Sequence, residues 1–303
     1  MRRISLFAAT IATLFLAQTA IAQGQDFSKV KIKIDDLGHG LYMLTGAGGN
    51  IGVSAGEDGV FIIDDQFAPL SAKIKAAIGT ISDKPIRFVI NTHWHGDHTG
   101  GNENFGKDGA IIVAQDNVYA RMSVDQVMPA FNRTVPAAPR VALPVITYRE
   151  NMTLHQNGHT VAIHHVHNAH TDGDSLIRFT DANVVHMGDT YFAGRFPFID
   201  SASGGSIDGV IAAVGTALEM VDGQTKIIPG HGPLSNKAEL TKYRAMLIEV
   251  RDRMHKAIAS GKTLDQLLAA KPLADLDTPW GGGFISSDRF VRGLYAQMSG
   301  DAE

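Results

Sequence analysis

Three histidines and an aspartate stand within six residues of one another, directly after an apolar run. Their order is His93-Trp94-His95-Gly96-Asp97-His98. Imidazole nitrogens and carboxylate oxygens are ligands that zinc takes in proteins, and a loop that leaves a strand end can turn them inward together. A polar surface also carries histidines, but the His-x-His-x-Asp-His spacing favours a metal site.

Three later positions carry further candidate ligands at the ends of predicted strands. His170 precedes a glycine-containing turn, Asp189 follows a glycine, and His231 lies between two glycines. Singly, each of them also fits a turn or a structural role. With the first cluster they make seven donors: His93, His95, Asp97, His98, His170, Asp189 and His231. One tetrahedral zinc needs four ligands, so seven donors predict two zinc ions that share Asp189.

Three more histidines, His164, His165 and His167, precede His170 at near-alternate spacing. His164 and His165 lie on the predicted strand that leads to the turn, and His167 follows it. Isolated histidines in such a strand are usually structural or solvated, so we interpret these three as non-ligands.

Several residues near the predicted ligands are candidates for binding a substrate. Arg195 follows Asp189 by six residues and could anchor a substrate carboxylate, although a solvated surface arginine is the alternative. Trp94, Phe67 and Phe131 could form the wall of a pocket. Packing in the core is the alternative for these three aromatic residues.

Short apolar runs and turn residues predict the elements that must position these side chains. The predicted strands cover residues 30–34, 41–44, 51–54, 60–63, 86–90, 110–113, 145–148, 152–154, 159–165, 175–179, 184–187 and 226–228. The predicted helices cover residues 70–81, 116–121, 207–220 and 237–258. Two similar halves, each running from strands to helices, predict an α/β fold in which two sheets lie between two helix layers. Ligands then come together at strand ends.

Two segments stand apart from this pattern. Residues 128–145 are punctuated by prolines and predict an irregular loop near the site, either a lid or a plain connector. Residues 262–303 carry no candidate ligand and predict a C-terminal helical extension, with helices at 264–270 and 287–298. No change in composition marks a linker, so residues 23–303 are predicted to form one domain.

The first 22 residues have the features of a secretory signal peptide. Arg2 and Arg3 are followed by an almost wholly apolar run, and Ala20-Ile21-Ala22 offers a cleavage site before Gln23. A membrane anchor is the alternative, but the apolar run is short for a bilayer span. The sequence therefore predicts a periplasmic protein that keeps no membrane segment after cleavage.

Charge and cysteine content exclude several classes of function. Loss of Arg2 and Arg3 would change the formal net charge from −4 to −6, and an acidic chain is a poor partner for nucleic acid. The chain has no cysteine. Disulfides, cysteine metal ligands and a cysteine nucleophile are therefore excluded.

With these motifs in order, the chain resembles the metallo-β-lactamase superfamily of zinc hydrolases over about residues 30–245. The resemblance implies a four-layer αβ/βα sandwich. It also implies the assignment of the ligands to two ions. His93, His95 and His170 would hold the first zinc, Asp97, His98 and His231 the second, and Asp189 would bridge them.

The resemblance leaves the substrate open. Exported β-lactamases of the superfamily often have a cysteine at the position of Asp189 and, three residues later, a lysine that binds the substrate carboxylate; here the later residue is Phe192. The Asp97-His98 pair with a bridging aspartate is typical of thioesterases, lactonases and other general hydrolases. Predicted export favours a β-lactam instead, because β-lactams act in the periplasm.

The predicted function is hydrolysis of a small molecule. A zinc-bound hydroxide, oriented by Asp97, would attack a strained or activated carbonyl. A β-lactam is the first predicted substrate, and a lactone, a thioester or another ester is the alternative. A non-catalytic periplasmic metal-binding protein is the alternative of another class.

Overall fold

The structure is a computed structural model that describes residues 26–300. The predicted signal peptide, residues 1–22, lies outside them, as do the last three residues. Within the described part, the strands are β1 (Lys33–Gly38), β2 (Leu41–Thr45), β3 (Ile51–Gly56), β4 (Gly59–Ile63), β5 (Ile86–Ile90), β6 (Ile111–Gln115), β7 (Gln126–Met128), β8 (Arg133–Val135), β9 (Ile146–Tyr148), β10 (Asn151–Gln156), β11 (His159–His165), β12 (Ser175–Phe179), β13 (Val184–His186) and β14 (Lys226–Ile228).

The helices occupy the connections between strands and the C-terminal part of the described residues. They are α1 (Ser71–Ile78), α2 (Gly96–Thr99), α3 (Asn102–Lys107), α4 (Asp116–Met122), α5 (Ile207–Met220), α6 (Lys237–Ala259), α7 (Leu264–Ala270), α8 (Asp277–Trp280) and α9 (Ser287–Ser299). Side chains cap several N-termini: Ser206 caps α5, and Asn236 caps α6. Both caps satisfy backbone N–H groups that the helix leaves without partners.

The first sheet contains seven strands in the order β1-β2-β3-β4-β5-β6-β9. Strands β1 to β4 form an antiparallel meander, and β4, β5, β6 and β9 run parallel to their neighbours. Parallel neighbours need crossover connections, which α1, α2 and α3 provide. The carboxyl ends of β4 and β5 therefore lie side by side at one edge of the sheet.

The second sheet contains five strands in the order β10-β11-β12-β13-β14. Strands β10 to β13 are antiparallel, while β14 is parallel to β13 and follows the crossover helix α5. The carboxyl ends of β13 and β14 are therefore neighbours too.

The core explains how the two sheets pack. In β4, Phe61 and Ile63 face residues of the second sheet such as Phe179, whereas Val60 and Ile62 pack with α1 residues. Both faces of this strand are buried, which is why it is apolar throughout. Helices α5, α6, α7 and α9 cover the outer face of the second sheet. The predicted four-layer αβ/βα sandwich is confirmed.

The structure corrects the sequence prediction in several places. It adds the short helices α2, α3 and α8, and α1 ends at Ile78 rather than at residue 81. The first strand begins at Lys33 rather than at residue 30. The segment 128–145, predicted to be irregular, contains β8, which pairs with β7 in a hairpin. Each of these strands has three residues, too few to show a period of two.

The C-terminal helices pack against the second half of the molecule. Leu267 of α7 and Leu294 of α9 belong to the same buried cluster as α6 residues. Among residues 26–300, no helix combines the length and the apolar character needed to cross a bilayer.

Candidate metal centre

Four of the seven predicted ligands lie on the connection that follows β5. This strand is buried at its end and is followed by His93 and His95. Asp97 and His98 lie on α2, whose first turn is closed by a hydrogen bond from His98 N to His95 O at 2.9 Å. The short helix therefore points successive side chains toward one place.

The other three predicted ligands come from loops of the second sheet. His170 lies between β11 and β12, Asp189 lies in a 3-10 turn after β13, and His231 follows β14. A Cβ atom on Gly230 would collide with Asp189 Oδ1. Glycine at this position therefore lets the His231 loop pass close to the carboxylate.

The structure brings all seven side chains together in two adjacent groups. The first, called the buried group, is His93, His95, His170 and Asp189; the second, called the open group, is Asp97, His98 and His231. Within each group, the candidate ligand atoms lie within 4.8 Å of one another. Each group draws on both sheets.

Asp189 connects the two groups. Its Oδ1 lies 3.0 Å from His98 Nε2 and 3.3 Å from His231 Nε2, both in the open group. Its Oδ2 lies 3.5 Å from His170 Nε2 and 3.9 Å from His93 Nε2, both in the buried group. One carboxylate therefore presents an oxygen to each group, as the sequence predicted for a bridging ligand.

Three hydrogen bonds orient the histidine rings from behind. His95 Nε2 donates to Asp200 Oδ2 at 2.8 Å, and His170 Nδ1 donates to the carbonyl of Phe198 at 2.8 Å. His98 Nδ1 donates to Asp64 Oδ2 at 2.7 Å. Such contacts fix the tautomer, so that the other ring nitrogen carries the lone pair toward a metal.

Sequence reasoning gave no role to Asp64 or Asp200. Asp64 directly follows β4, and it also accepts hydrogen bonds from Thr92 N and Thr92 Oγ1, each at 2.8 Å. Its φ of 63° is a left-handed conformation that costs free energy in a non-glycine residue. The acidic residue at the end of a buried strand was a usable signal for Asp64. Asp200 has no such local signal.

Burial controls protonation in the buried group. Burial, together with the neighbouring His98, holds the pKa of His93 well below its ordinary value. Burial likewise lowers the pKa of His170 to about 4, although Asp189 opposes the shift. Neutral imidazole is the form that binds metal.

Carboxylates control protonation in the open group. Burial opposes a charge on His231, but Asp189 and Asp97 outweigh it and raise its pKa to about 9. Burial also opposes a charge on His98, yet Asp189, Asp97 and Asp64 raise the pKa of this residue as well. Without a metal cation, protons therefore balance the negative charge here.

An unsatisfied atom of the centre fits a metal ion. Among the described residues, His93 Nε2 is a buried side-chain atom without a hydrogen-bond partner. Such an atom is costly unless a ligand or ion satisfies it. Since all seven donors are nitrogen or oxygen atoms, the set suits zinc.

A cavity of about 470 Å³ opens in front of the two groups. Arg195, Phe67 and Phe131 line it, as the sequence allowed. Trp94 does not: it is 3% exposed and packs in a core cluster with Val118.

The three histidines that precede His170 lie outside both groups. His164 Nδ1 lies 2.8 Å from Asn151 Oδ1, and His167 Nε2 lies 3.1 Å from Glu150 Oε2. His165 Nδ1 donates to the carbonyl of Asp174 at 2.8 Å. The structure thus gives each of them a partner away from the centre.

Comparison with known sequences shows the family. The profile described as "Metallo-beta-lactamase superfamily" matches residues 44–231, which is most of the described chain and contains all seven predicted ligands. The chain belongs to the metallo-β-lactamase superfamily.

Curated relatives are distant and differ in the reactions that their names state. A hydroxyacylglutathione hydrolase of Nitrosococcus oceani is 30% identical over 184 residues, which cover 55% of this chain and 60% of the relative. The 2,4-dinitroanisole O-demethylase subunit alpha of a Nocardioides species is 28% identical over 144 residues. These residues cover 46% of this chain and 40% of the relative. The chain therefore spans about 40% to 60% of the length of these relatives.

Solved structures share the fold at low sequence identity. A metallo-β-lactamase from Pontibacter korlensis is 15% identical, has a TM-score of 0.58, and is matched over 72% of this chain and 99% of its own. A double mutant of a sec-alkyl sulfatase is 17% identical, has a TM-score of 0.68, and is matched over 88% of this chain and 50% of its own. Identities this low show the fold and leave the substrate open.

Proposed function

We propose that the protein is a dinuclear zinc hydrolase that cleaves a carbonyl compound of low molecular mass. The observation that supports this most directly is the position of Asp189. Its two oxygens face two groups of nitrogen and oxygen donors, and His93 Nε2 in the buried group has no hydrogen-bond partner in the described part of the chain. A carboxylate so placed suits a pair of cations about 3.5–4 Å apart.

The chain's own residues orient the reactants. Two zinc ions, when bound, would polarise the carbonyl and activate a water. Asp97 lines the cavity with its Oδ2 3.3 Å from His231 Nε2, and it can accept a hydrogen bond from a water that approaches the substrate. Asp200 and Asp64 hold His95 and His98 in the orientation that leaves their other nitrogens free.

A β-lactam is the first substrate that we propose. The cavity is lined by Arg195, whose guanidinium suits the carboxylate that common β-lactams carry. The predicted signal peptide supports the same choice, since it would deliver the protein to the periplasm, where β-lactams act. We propose the periplasm as its location on that basis.

A thioester or lactone is the second candidate. The open group has the Asp97-His98 pair, and Asp189 is an aspartate, as in the general hydrolases that the chain resembles. Relatives named hydroxyacylglutathione hydrolase support a thioester.

The decisive experiment measures metal content and hydrolysis together. Purified protein should contain about two zinc equivalents, and it should hydrolyse a chromogenic cephalosporin, a lactone or a thioester. His93→Ala should lose metal and activity, whereas His167→Ala, which changes a histidine outside both groups, should keep them. Bound zinc with no hydrolysis of any carbonyl substrate would identify a non-catalytic metal-binding protein and overturn the proposal.

A further inference from the structure

A row of aromatic rings leads from the buried group to the mouth of the cavity. Phe198 lies 5.8 Å from the rings of both His95 and His170, measured between centroids. Phe131 follows at 5.0 Å from Phe198, and Phe284 at 5.7 Å from Phe131, nearly parallel to it. Phe284 is 61% exposed. A large exposed aromatic side chain at the end of such a row marks a binding surface.

The outer rings come from two segments that only the folded chain brings together. Phe131 lies between β7 and β8, and Phe284 lies between α8 and α9. Phe284 is beyond residue 231, where the superfamily match ends. The Phe284 side of the outer wall therefore lies outside the family match, whereas Phe131 lies within it.

Positive charge surrounds this apolar wall. Arg133 and Arg195 line the cavity, and the Arg289 guanidinium lies 5.6 Å from the Phe131 ring and 5.1 Å from the Phe284 ring. Between residues 26 and 300, none of these three guanidinium groups has a carboxylate or hydrogen-bond partner. The carboxylates that line the cavity, Asp97 and Asp189, belong to the metal groups.

Arg195 is the best placed of the three to bind a ligand. Its side chain is half-buried, while those of Arg133 and Arg289 are exposed. Its stem packs under Gly283, where a Cβ atom would lie 2.9 Å from Arg195 Cβ. A partly desolvated guanidinium gains more from an anion than one in open water does.

We propose that the outer part of the cavity binds a hydrophobic carboxylate. Its carboxylate pairs with Arg195, and its apolar part packs against Phe131 and Phe284. The cavity of about 470 Å³ falls within the range that holds small-molecule ligands. The substrate is then an ester, thioester or lactam that contains a hydrophobic acid. The proposed subsite depends on the proposed function only for the kind of bond that is cleaved in the substrate.

Calorimetric binding to the zinc-loaded protein tests the subsite without requiring turnover. The ligands are 4-phenylbutyrate, butyrate, which lacks the ring, and 4-phenylbutyramide, which lacks the charge. We expect 4-phenylbutyrate to bind about tenfold more tightly than either of the others, because it alone uses both features. Equal binding of all three ligands would overturn the proposal.

Variants test which residues cause the preference for the acid over the amide and the preference for the phenyl compound over butyrate. Arg195→Gln should remove the preference for the acid over the amide, and Phe284→Ala should reduce the preference for the phenyl compound by about threefold or more. Arg149→Gln and Tyr119→Ala should change neither preference, since both residues are exposed and lie outside the cavity. An acid preference that survives Arg195→Gln would show that the zinc ions, not Arg195, bind the carboxylate.

Failure of the subsite and failure of the proposed function are separate outcomes. A protein that binds 4-phenylbutyrate selectively but hydrolyses nothing would keep the subsite and lose the hydrolase assignment. A protein that hydrolyses the carbonyl substrates but binds the three ligands alike would keep the hydrolase and lose the subsite.

Discussion

The buried group and the open group meet at Asp189 but differ in exposure and charge. Side chains in the buried group are at most 6% exposed, whereas Asp97 is 27% and His231 is 19% exposed. Burial keeps the pKa of His93 and His170 low; carboxylates keep that of His98 and His231 high. In the buried group, His93 and His170 are thus neutral in advance, whereas in the open group a metal has to displace protons from His98 and His231.

The difference predicts unequal affinities for the two ions that we propose. Neutral, desolvated imidazoles such as those of His93 and His170 bind a metal without losing protons. The open group binds a metal cation only when its histidines release their protons. Solvent also reaches this group through the cavity. We therefore expect the ion of the buried group to be held more tightly.

Asp189→Ala would affect both groups at once and has the largest expected effect. Because Asp189 places an oxygen near each group, its loss should lower bound zinc below two equivalents and reduce kcat/KM by at least about 10²–10³-fold. Elemental analysis and steady-state kinetics measure these quantities. Asp83→Ala, at an exposed position away from the cavity, is the control. Full zinc occupancy in Asp189→Ala would mean that the two groups are independent.

Asp64→Asn and Asp200→Asn would separate the groups. Asp64 orients His98 of the open group, and Asp200 orients His95 of the buried group. Each change should weaken the ion of its own group by about 10–100-fold, the usual effect of losing an orienting partner. Competition with a chromogenic chelator measures both affinities. If either variant weakened the two ions equally, the division into groups would be wrong.

Gly49→Ala would displace a side chain of the open group and should reduce zinc affinity less than the preceding substitutions. A Cβ atom at this position would collide with the His98 ring, so the ring has to shift. We expect a several-fold loss in affinity for the weaker ion and little change for the tighter one. Gly223→Ala is the matched control, because nothing lies within 4 Å of its added Cβ atom. Unchanged zinc affinity would show that His98 does not bind the ion.

Treatment with a small excess of chelator would show which of the two ions leaves first. This test has the smallest expected effect, because it leaves the sequence of the wild-type protein unchanged. With a small excess of chelator, one zinc equivalent should leave faster than the other, because the open group is the more exposed. Stopped-flow chelation on the wild-type protein and on Asp64→Asn measures this order. Asp64→Asn should accelerate the fast phase alone. A single phase for both equivalents in the wild type would remove the distinction.

Local patterns predicted many of the regular elements, and the structure brings the seven predicted ligands together. Helix 207–220 and strands 86–90 and 226–228 have the predicted bounds, because each combines a clear period or a buried apolar run with turn residues at its ends. The seven ligands follow strand ends, so the sheet order that brings those ends together also brings the ligands together.

Contacts between distant parts of the chain could not be predicted. Asp200 lies 105 positions from His95, and nothing near Asp200 indicates that contact. The position of Phe284 beside Phe131 depends equally on tertiary packing. These long-range contacts orient the ligands and form the outer wall of the cavity. The hairpin of β7 and β8 is local, but its strands are too short to show a period of two.

One further feature is the position of Asn50 at the start of β3. Its side-chain amide donates to the carbonyls of Pro229 and Gly232, each at 2.9 Å, and so ties the first sheet to the loop that carries His231. Both ions, when bound, would tie the same two halves, since each group takes ligands from each half. Binding of either proposed ion would therefore stabilise the packing of the two halves against each other. The lifetime of the folded enzyme should therefore lengthen with the concentration of free zinc.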